Sequence, residues 1–271
     1  MLRHIRSFVA AVLLSFATID AVALEYTDAW VPLGEDGSGV FLVQSEAFVF
    51  LAFYVFDQNN QPIWYSCQLL RDANGVTYSG GLYASTGTYY ALPWNPAAAH
   101  TTAIGTCTFA PADIYTATLT YTLTGAPPIV KTIRRYALLP YNLAGNYSGS
   151  MAGSISGCND PADNDAAFRA RYGLAVAQVG DAAATLTFTF VDMNHSGIVC
   201  TVSGPLTHLG RLYQLNGQLS CTGPGQSPGV AAVTINSLHT TGQGIEGHLT
   251  GGTVNGCTAS LHFSAVLNVN N

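Results

Sequence analysis

The chain has 271 residues, with nine Lys/Arg and fifteen Asp/Glu, and a formal net charge of −6 at pH 7. Charged residues make up only 9% of it, and no basic stripe or cluster occurs, which argues against nucleic acid or an anionic membrane as partner. Its 28 Gly and 14 Tyr are typical of a β protein, and the length suits one large or two ordinary domains.

The first 23 residues have the order of a secretory signal peptide. Basic Arg3 and Arg6 precede an apolar run from Phe8 to Ile19, and Ala21-Val22-Ala23 supplies small residues for cleavage after Ala23. An uncleaved anchor is the alternative, but the apolar run is short for a bilayer. We therefore expect a secreted, periplasmic or other cell-envelope protein that has no membrane span once the signal is removed.

The stretch from Phe48 to Phe56 is apolar at nine consecutive positions. Both faces of the strand that it predicts are apolar, so we expect a central strand covered on both sides. Asn59-Asn60 then turns the chain into a return strand that starts at Pro62. Similar runs and alternation across residues 24–138 predict an N-terminal domain with an antiparallel, sandwich-like sheet.

The segment 87–96 concentrates aromatic rings between two prolines. Tyr89, Tyr90 and Trp94 offer apolar faces with polar edges, which suit stacking on a glycan or contact with a protein partner. The alternative is a lid that packs over the open end of the N-terminal sheet. This segment, called the aromatic loop below, is one of two candidate binding sites.

Several spaced motifs in the N-terminal half are familiar together. They are Trp30-x-Pro32, Ser38-Gly39, Phe53-Tyr54-x-Phe56-Asp57, Pro62-x-Trp64-Tyr65, Tyr78-x-Gly80-x-Leu82-Tyr83 and Lys131-x-Ile133-x-Arg135. Over residues 28–136 the chain resembles an exported proteobacterial module of unknown function. From Leu143, the pattern L-x-G-x-Y-x-G-x-x-x-G-x-x-x-G-C is similar to a second exported bacterial β module, covering residues 143–268. The resemblance implies an exported protein and carries no activity with it.

The segment 135–142 is apolar enough to predict a packed junction between two domains rather than a loose tether. Beyond it, residues 143–271 contain eight short strands separated by tight turns. These predict an up-and-down, calycin-like eight-stranded barrel, whose closure removes exposed sheet edges. The strands are centred near 147–155, 174–179, 186–191, 198–206, 213–221, 230–238, 245–251 and 261–267. Only the segment 162–172 suggests one or two helical turns.

All six cysteines lie beyond residue 23, and an even count in an exported chain favours disulfides. Cys200 and Cys221 are equidistant from the turn of one hairpin and share its inward face, so a bridge between them follows from the register. Cys158 ends the first barrel strand and Cys257 begins the last, which places both at one rim. Because simple alternation points Cys158 outward, that bridge needs a bulge. Cys67–Cys107 follows by elimination.

The interior of the predicted barrel is the second candidate binding site. Barrels of eight strands are either filled by their own side chains or hold one small apolar ligand, and a filled interior is favoured here over an open one. Inward glycines at positions 149, 153, 204 and 217 leave space that large side chains must otherwise fill. The large inward side chains are Tyr147, Met151, Phe188, Phe190, His208, Tyr213 and Phe263.

An acidic loop at the barrel rim holds Asp160, Asp163 and Asp165, together with two asparagines. Carboxylate and amide oxygens suit Ca²⁺, but the spacing is not that of an EF-hand and no glutamate closes the loop. A solvated loop in which Asp and Asn form turns is favoured over a metal site. We predict no metal and no cofactor.

Two other patterns suggest catalysis only weakly. Gly225 to Gly229 matches the G-x-S-x-G nucleophile elbow at Ser227, but it lies in a turn between strands with no helix to follow. His239, His248 and His262 fall on the last three strands, where alternation predicts that they face solvent as ordinary surface histidines.

These observations favour an exported, non-enzymatic binding or surface-interaction protein. Its ligand would be a small apolar molecule in the barrel, or a glycan or protein on the aromatic loop. A secreted hydrolase and a purely structural envelope protein are the alternatives. An enzyme predicts a Ser–His–carboxylate contact, whereas a structural role predicts a filled barrel and a buried aromatic loop.

Overall fold

The computed structural model of the chain describes residues 24–137 and 139–268. The predicted signal peptide, Leu138 and residues 269–271 lie outside these ranges, so the expected cleavage after Ala23 is not tested. Within the described ranges the regular structure consists of sixteen β-strands and two short 3₁₀ turns. The prediction of an all-β protein is therefore confirmed.

The first eight strands form an N-terminal antiparallel barrel. They are β1 (Asp28–Pro32), β2 (Gly39–Ser45), β3 (Phe48–Phe56), β4 (Pro62–Arg71), β5 (Tyr78–Thr86), β6 (His100–Pro111), β7 (Thr116–Leu123) and β8 (Ile129–Arg135). Each strand pairs with the next, and β1 pairs with β8, with Trp30 opposite Arg135. The sheet is antiparallel as predicted, but it closes on itself rather than forming sandwich-like layers, which leaves no unpaired edge.

Large aromatic side chains fill the N-terminal barrel. Trp30, Phe53 and Phe109 are completely or almost completely buried, and the Trp30 and Phe109 rings meet edge to face with centroids 5.7 Å apart. Cys67 and Cys107, on β4 and β6, form a disulfide within this core.

The expectation that β3 is covered on both sides is wrong. Val49, Leu51 and Phe53 point into the barrel and are buried, whereas Phe50 and Tyr54 point outward and are exposed. A barrel strand has only one inward face, so an apolar outer face is left to solvent or to another molecule. The apolar run therefore supplies one face to the core of the barrel and the other to its outer surface.

The remaining eight strands form the C-terminal barrel. They are β9 (Gly145–Ser156), β10 (Asp165–Val179), β11 (Ala183–Phe190), β12 (Val199–Leu209), β13 (Leu212–Thr222), β14 (Ala231–Thr240), β15 (Gly244–Gly252) and β16 (Thr258–Leu267). Neighbours in sequence pair antiparallel, and β16 pairs with β9 along its whole length. This is the predicted eight-stranded up-and-down barrel.

The helical turns suggested for residues 162–172 are limited to a 3₁₀ turn at Pro161–Asp163. From Asp165 the chain is extended, because Phe168, Ala170 and Tyr172 alternate inward with a period of two. Arg169 and Arg171, which lie between them, point outward, and the helical preference of these residues does not outweigh the pairing of the strand with β9.

Three disulfides join the cysteine pairs expected from the sequence: Cys67–Cys107, Cys158–Cys257 and Cys200–Cys221. Cys200 and Cys221 are direct cross-strand partners on β12 and β13. Cys158 escapes the alternation of β9 because the strand ends at Ser156 and Gly157 adopts a φ of +66°. That left-handed residue re-aims the next side chain towards Cys257.

The two barrels meet end to end at a buried ion pair. Arg135, at the end of β8, donates from Nη1 to Oδ2 of Asp28 at 2.7 Å and from Nε to the Ile114 carbonyl oxygen at 2.7 Å. The β12–β13 turn lies directly on this pair, since the Arg211 N–H donates to Asp28 Oδ2 at 2.9 Å. A Cβ on Gly210 would collide with the Asp28 carboxylate. Strand ends and this turn therefore form the packed junction.

Candidate ligand-binding site

The C-terminal barrel is closed at the end that faces the N-terminal barrel. Tyr213 is completely buried there; its hydroxyl donates to Asp181 Oδ1 at 2.6 Å and accepts from the Tyr141 N–H at 3.0 Å. Burial, with a further contribution from Asp181, raises the pKa of Tyr213 to about 12. Tyr147 donates to the carbonyl oxygen of Leu143 at 2.9 Å. These contacts plug the end of the barrel.

His208 belongs to the same plug. Its ring stacks on Tyr213 with centroids 4.6 Å apart, and its Nδ1 lies 3.3 Å from Asp181 Oδ2. Three of the seven side chains predicted to line a pocket, Tyr147, His208 and Tyr213, therefore close one end of the barrel instead of contacting a ligand.

The opposite end of the barrel is open and contains a cavity of about 370 Å³. This volume is at the small end of the roughly 300–1,000 Å³ range of ligand pockets. Predicted residues Met151, Phe188 and Phe190 line it. The other apolar wall residues are Ile155, Phe168, Ile198, Leu219, Leu249, Ala259 and Leu261.

Phe263, the seventh predicted residue, packs behind the cavity wall. Its ring meets the Phe188 ring edge to face at 5.5 Å. Tyr172 contacts Phe188 in the same way at 5.1 Å, and its hydroxyl donates to the Ser264 carbonyl oxygen at 3.0 Å. Burial raises the pKa of Tyr172. These two rings fill the middle of the barrel, so the cavity is confined to the open end.

The inward glycines do not create the cavity. A Cβ on Gly149 would collide with the backbone of β16 at Ser264, and one on Gly204 would collide with the backbone of β13 at Asn216. Glycine at these two positions lets neighbouring strands approach closely where the small barrel curves. The space instead arises beyond Phe188, where the strands run on into the rim loops.

Polar residues surround the mouth of the cavity. His195 lies between the rings of Phe168 and Phe190, at 5.2 and 6.0 Å between centroids, and its Nδ1 is 2.7 Å from Asp192 Oδ1. Partial burial opposes ionisation of Asp192, but hydrogen bonds from the Arg171 N–H and from His195 outweigh it and lower the pKa of Asp192. The mouth also holds Asp163, Asp165 and Gln226.

The acidic side chains of the rim loop form turns with their own backbone. Asp160 accepts from the Ala162 N–H and begins the 3₁₀ turn, and Asp165 accepts from the Ala167 N–H, each at 2.9 Å. In the part of the chain that the structure covers, no three His, Cys, Asp or Glu side chains are grouped suitably for a metal ion. Asp163 and Asp165 instead give the cavity mouth negative charge.

The three predicted surface histidines lie on the outer face of the C-terminal barrel, but two of them form an unforeseen pair. His248 and His262 are direct cross-strand partners and stack with centroids 3.9 Å apart. Burial, and then the neighbouring His262, lowers the pKa of His248. The Nε2 atom of His239 lies 3.1 Å from Oε1 of Glu246. Together they line a cleft of about 660 Å³ at the junction of the barrels.

Ser227 has no nucleophile-elbow geometry. Its loop joins β13 to β14, and the residue that follows the loop begins a strand. An elbow depends on a strand-to-helix turn that lifts the hydroxyl above a helix N-terminus.

The aromatic loop projects from the N-terminal barrel at the end away from the junction. Tyr89, Tyr90 and Trp94 are 60%, 89% and 68% exposed, so the loop is not a packed lid. It is nevertheless held in shape: the Thr88 hydroxyl accepts from the Asn95 N–H at 2.9 Å and donates to the Asn95 carbonyl oxygen at 3.1 Å. The rings are therefore presented on a clamped loop.

The chain matches no protein-family model, and no curated protein is significantly similar to it. Within residues 24–137 and 139–268, no helix is long and apolar enough to cross a membrane. The resemblance to exported bacterial modules thus stays a prediction.

Proposed function

We propose that this protein is an exported, non-enzymatic binding protein that holds a small apolar molecule in the open end of its C-terminal barrel. The observation that carries the proposal is the cavity of about 370 Å³ beyond Phe188. Three disulfides are compatible with an extracellular or periplasmic location, where such bonds persist.

The wall favours binding over chemistry. Its side chains are mainly aliphatic or aromatic, and Cys200 and Cys221, which also line it, are tied to each other. An apolar wall with a few polar groups at the entrance is the usual arrangement of a small-molecule site. A purely structural role predicts a filled barrel and a buried aromatic loop, and both the cavity and the exposed loop weigh against it.

The charge at the mouth narrows the ligand class. The carboxylates of Asp163 and Asp165 border the entrance, and Asp192 is held ionised beside His195. The head group of an anionic ligand would lie beside these carboxylates and be disfavoured by like-charge repulsion. We therefore expect an uncharged or cationic apolar molecule.

Filling the cavity tests the proposal. Ala259 is buried on the inward face of β16 and lines the cavity, so Ala259→Phe should occupy the space that the ligand takes. The matched control is Val266→Phe, an outward position 67% exposed on the same strand. The probe is the neutral, apolar dye N-phenyl-1-naphthylamine, whose fluorescence rises when it leaves water.

We expect the wild type and Val266→Phe to bind the dye alike, and Ala259→Phe to bind it at least roughly tenfold more weakly. Circular dichroism checks that each variant folds. If Ala259→Phe does not fold, Ile198→Trp, which fills the mouth of the cavity, takes its place. Equal binding by a folded, cavity-filled variant would overturn the proposal, as would the absence of dye binding by the wild type.

The aromatic loop supports a second candidate function, the binding of a glycan. Exposed rings on a clamped loop lose little conformational freedom when a sugar stacks on them. We expect Trp94→Ala to abolish binding to a glycan array, and Tyr136→Ala, which removes a ring that is 48% exposed just after β8, to leave it unchanged. If neither the wild type nor Tyr136→Ala binds any glycan, this candidate is rejected.

A further inference from the structure

The outer side of β2, β3 and β4 carries an exposed group of aromatic side chains, called the aromatic face below. It is separate from the aromatic loop and from the cavity. The exposed fraction of each ring lies between 38% and 53%. The six residues are Phe41, Phe48, Phe50, Tyr54, Phe56 and Trp64.

The strand register makes these residues neighbours. Tyr54 is the direct cross-strand partner of Trp64, and the Phe41 and Tyr54 rings meet edge to face at 6.0 Å. Phe50 lies opposite Val43, which is also exposed. The face is therefore one continuous apolar surface rather than scattered single residues.

The aromatic face is free of charge. The segments 39–45, 48–56 and 62–70 contain no Asp, Glu, Lys or Arg. The solvent-facing side of a sheet in a soluble monomer usually carries polar and charged residues, which discourage association. The chain as a whole has a formal charge of −6, so the repulsion between two copies is smallest when they meet through an uncharged surface.

The area suits an interface. Aromatic side chains have on the order of 150–250 Å² of surface each, so the exposed fractions leave on the order of 400–700 Å² on the six rings. The largest apolar patch of a typical monomer is about 300–600 Å². With Val43 and Leu70, which are exposed on the same strands, the face approaches the roughly 800 Å² that each partner buries in a standard interface.

We propose that the aromatic face is the interface of a symmetric dimer of this chain. In a two-fold arrangement the same surface of each copy contacts the other, so an uncharged face meets an uncharged face. Two antiparallel sheets pack in this way with their outer side chains interdigitated.

Sedimentation velocity on the purified, disulfide-bonded chain tests the dimer. Phe50→Asp places a carboxylate in the middle of the face, and two-fold symmetry brings both carboxylates into one interface. The matched control is Val130→Asp, because Val130 is 61% exposed on β8, outside the face. The proposal predicts twice the monomer mass for the wild type and for Val130→Asp.

Phe50→Asp should be monomeric, with a dissociation constant raised at least about a hundredfold. Near-ultraviolet circular dichroism verifies its fold, and Trp64→Arg serves if Phe50→Asp fails to fold. A wild type that is monomeric at about 100 μM, a concentration well above the dissociation constants of stable dimers, would overturn the proposal. A folded Phe50→Asp variant that stays dimeric would also overturn it. Binding of a monomeric wild type to phosphatidylcholine vesicles would assign the face to lipid instead.

Discussion

Two disulfides lie at the open end of the C-terminal barrel, beside the cavity that its side chains leave unfilled. Cys158–Cys257 connects residues 99 apart, whereas Cys200–Cys221 connects residues 21 apart. A crosslink lowers the conformational entropy of the unfolded chain, and the loop-closure relation gives about 4.7 kcal/mol for the longer loop and about 3.3 kcal/mol for the shorter. The shorter loop is nested within the longer, which reduces the first value to about 4.5 kcal/mol.

The perturbation is the removal of one bridge at a time, by Cys158→Ala with Cys257→Ala and by Cys200→Ala with Cys221→Ala. Each double variant is the control for the other, because both remove one disulfide from the same end. Urea unfolding followed by circular dichroism gives the free energy of unfolding. The three tryptophans, Trp30, Trp64 and Trp94, all belong to the N-terminal half, so their fluorescence separately follows the N-terminal barrel.

We expect the free energy of unfolding to fall by about 1 kcal/mol more when the longer loop is opened than when the shorter one is. If removal of Cys200–Cys221 costs as much or more, loop closure is not the origin of the stabilisation. Contacts of the bridges with the cavity wall would then account for it.

Two further predictions concern the buried polar groups. Asp28→Ala leaves Arg135 buried without its partner and should lower the free energy of unfolding by about 3–5 kcal/mol, measured by urea unfolding; a loss below about 1 kcal/mol would contradict this. Tyr213→Phe removes the hydrogen bonds to Asp181 and Tyr141 and should cost about 1–3 kcal/mol at neutral pH. Because the folded pKa of Tyr213 is raised from 10.0 to about 12, its contribution is present below pH 10 and lost as the pH rises to about 12. The stability difference between wild type and variant should narrow over that range, and a constant difference would refute the reasoning.

Local patterns were sufficient to predict much of the C-terminal half. Alternation between turn residues located all eight strands, since a half-buried strand has a period of two whatever lies beyond it. Cys200 and Cys221 could be paired because a tight turn fixes the register of its hairpin. Cys158–Cys257 depended on closure of the barrel, which the strand count suggested.

Local sequence patterns could not predict the features that depend on contacts between strands far apart in the sequence. The apolar outer face of β3 looked like a buried face, because periodicity does not say what covers a side chain. The cavity depends on how side chains from every strand fill the barrel. Tyr147 and Met151 both point inward from β9, yet Tyr147 belongs to the closed end and Met151 to the cavity wall. The His248–His262 stack required the exact β15–β16 register.

The buried ion pair at the junction also bears on the order in which the chain matures. Asp28 and Arg135 lie on β1 and β8, the two strands whose pairing closes the N-terminal barrel. The residues that cover this pair, Gly210 and Arg211, are synthesised later, since Gly210 is 75 residues beyond Arg135. Because the N-terminal half of the chain is synthesised first, we expect the first barrel to close while the ion pair is still exposed to water. Water is then excluded from the Asp28–Arg135 pair only when the β12–β13 turn packs on it. We therefore expect the N-terminal barrel to reach its full stability only after the C-terminal barrel has folded.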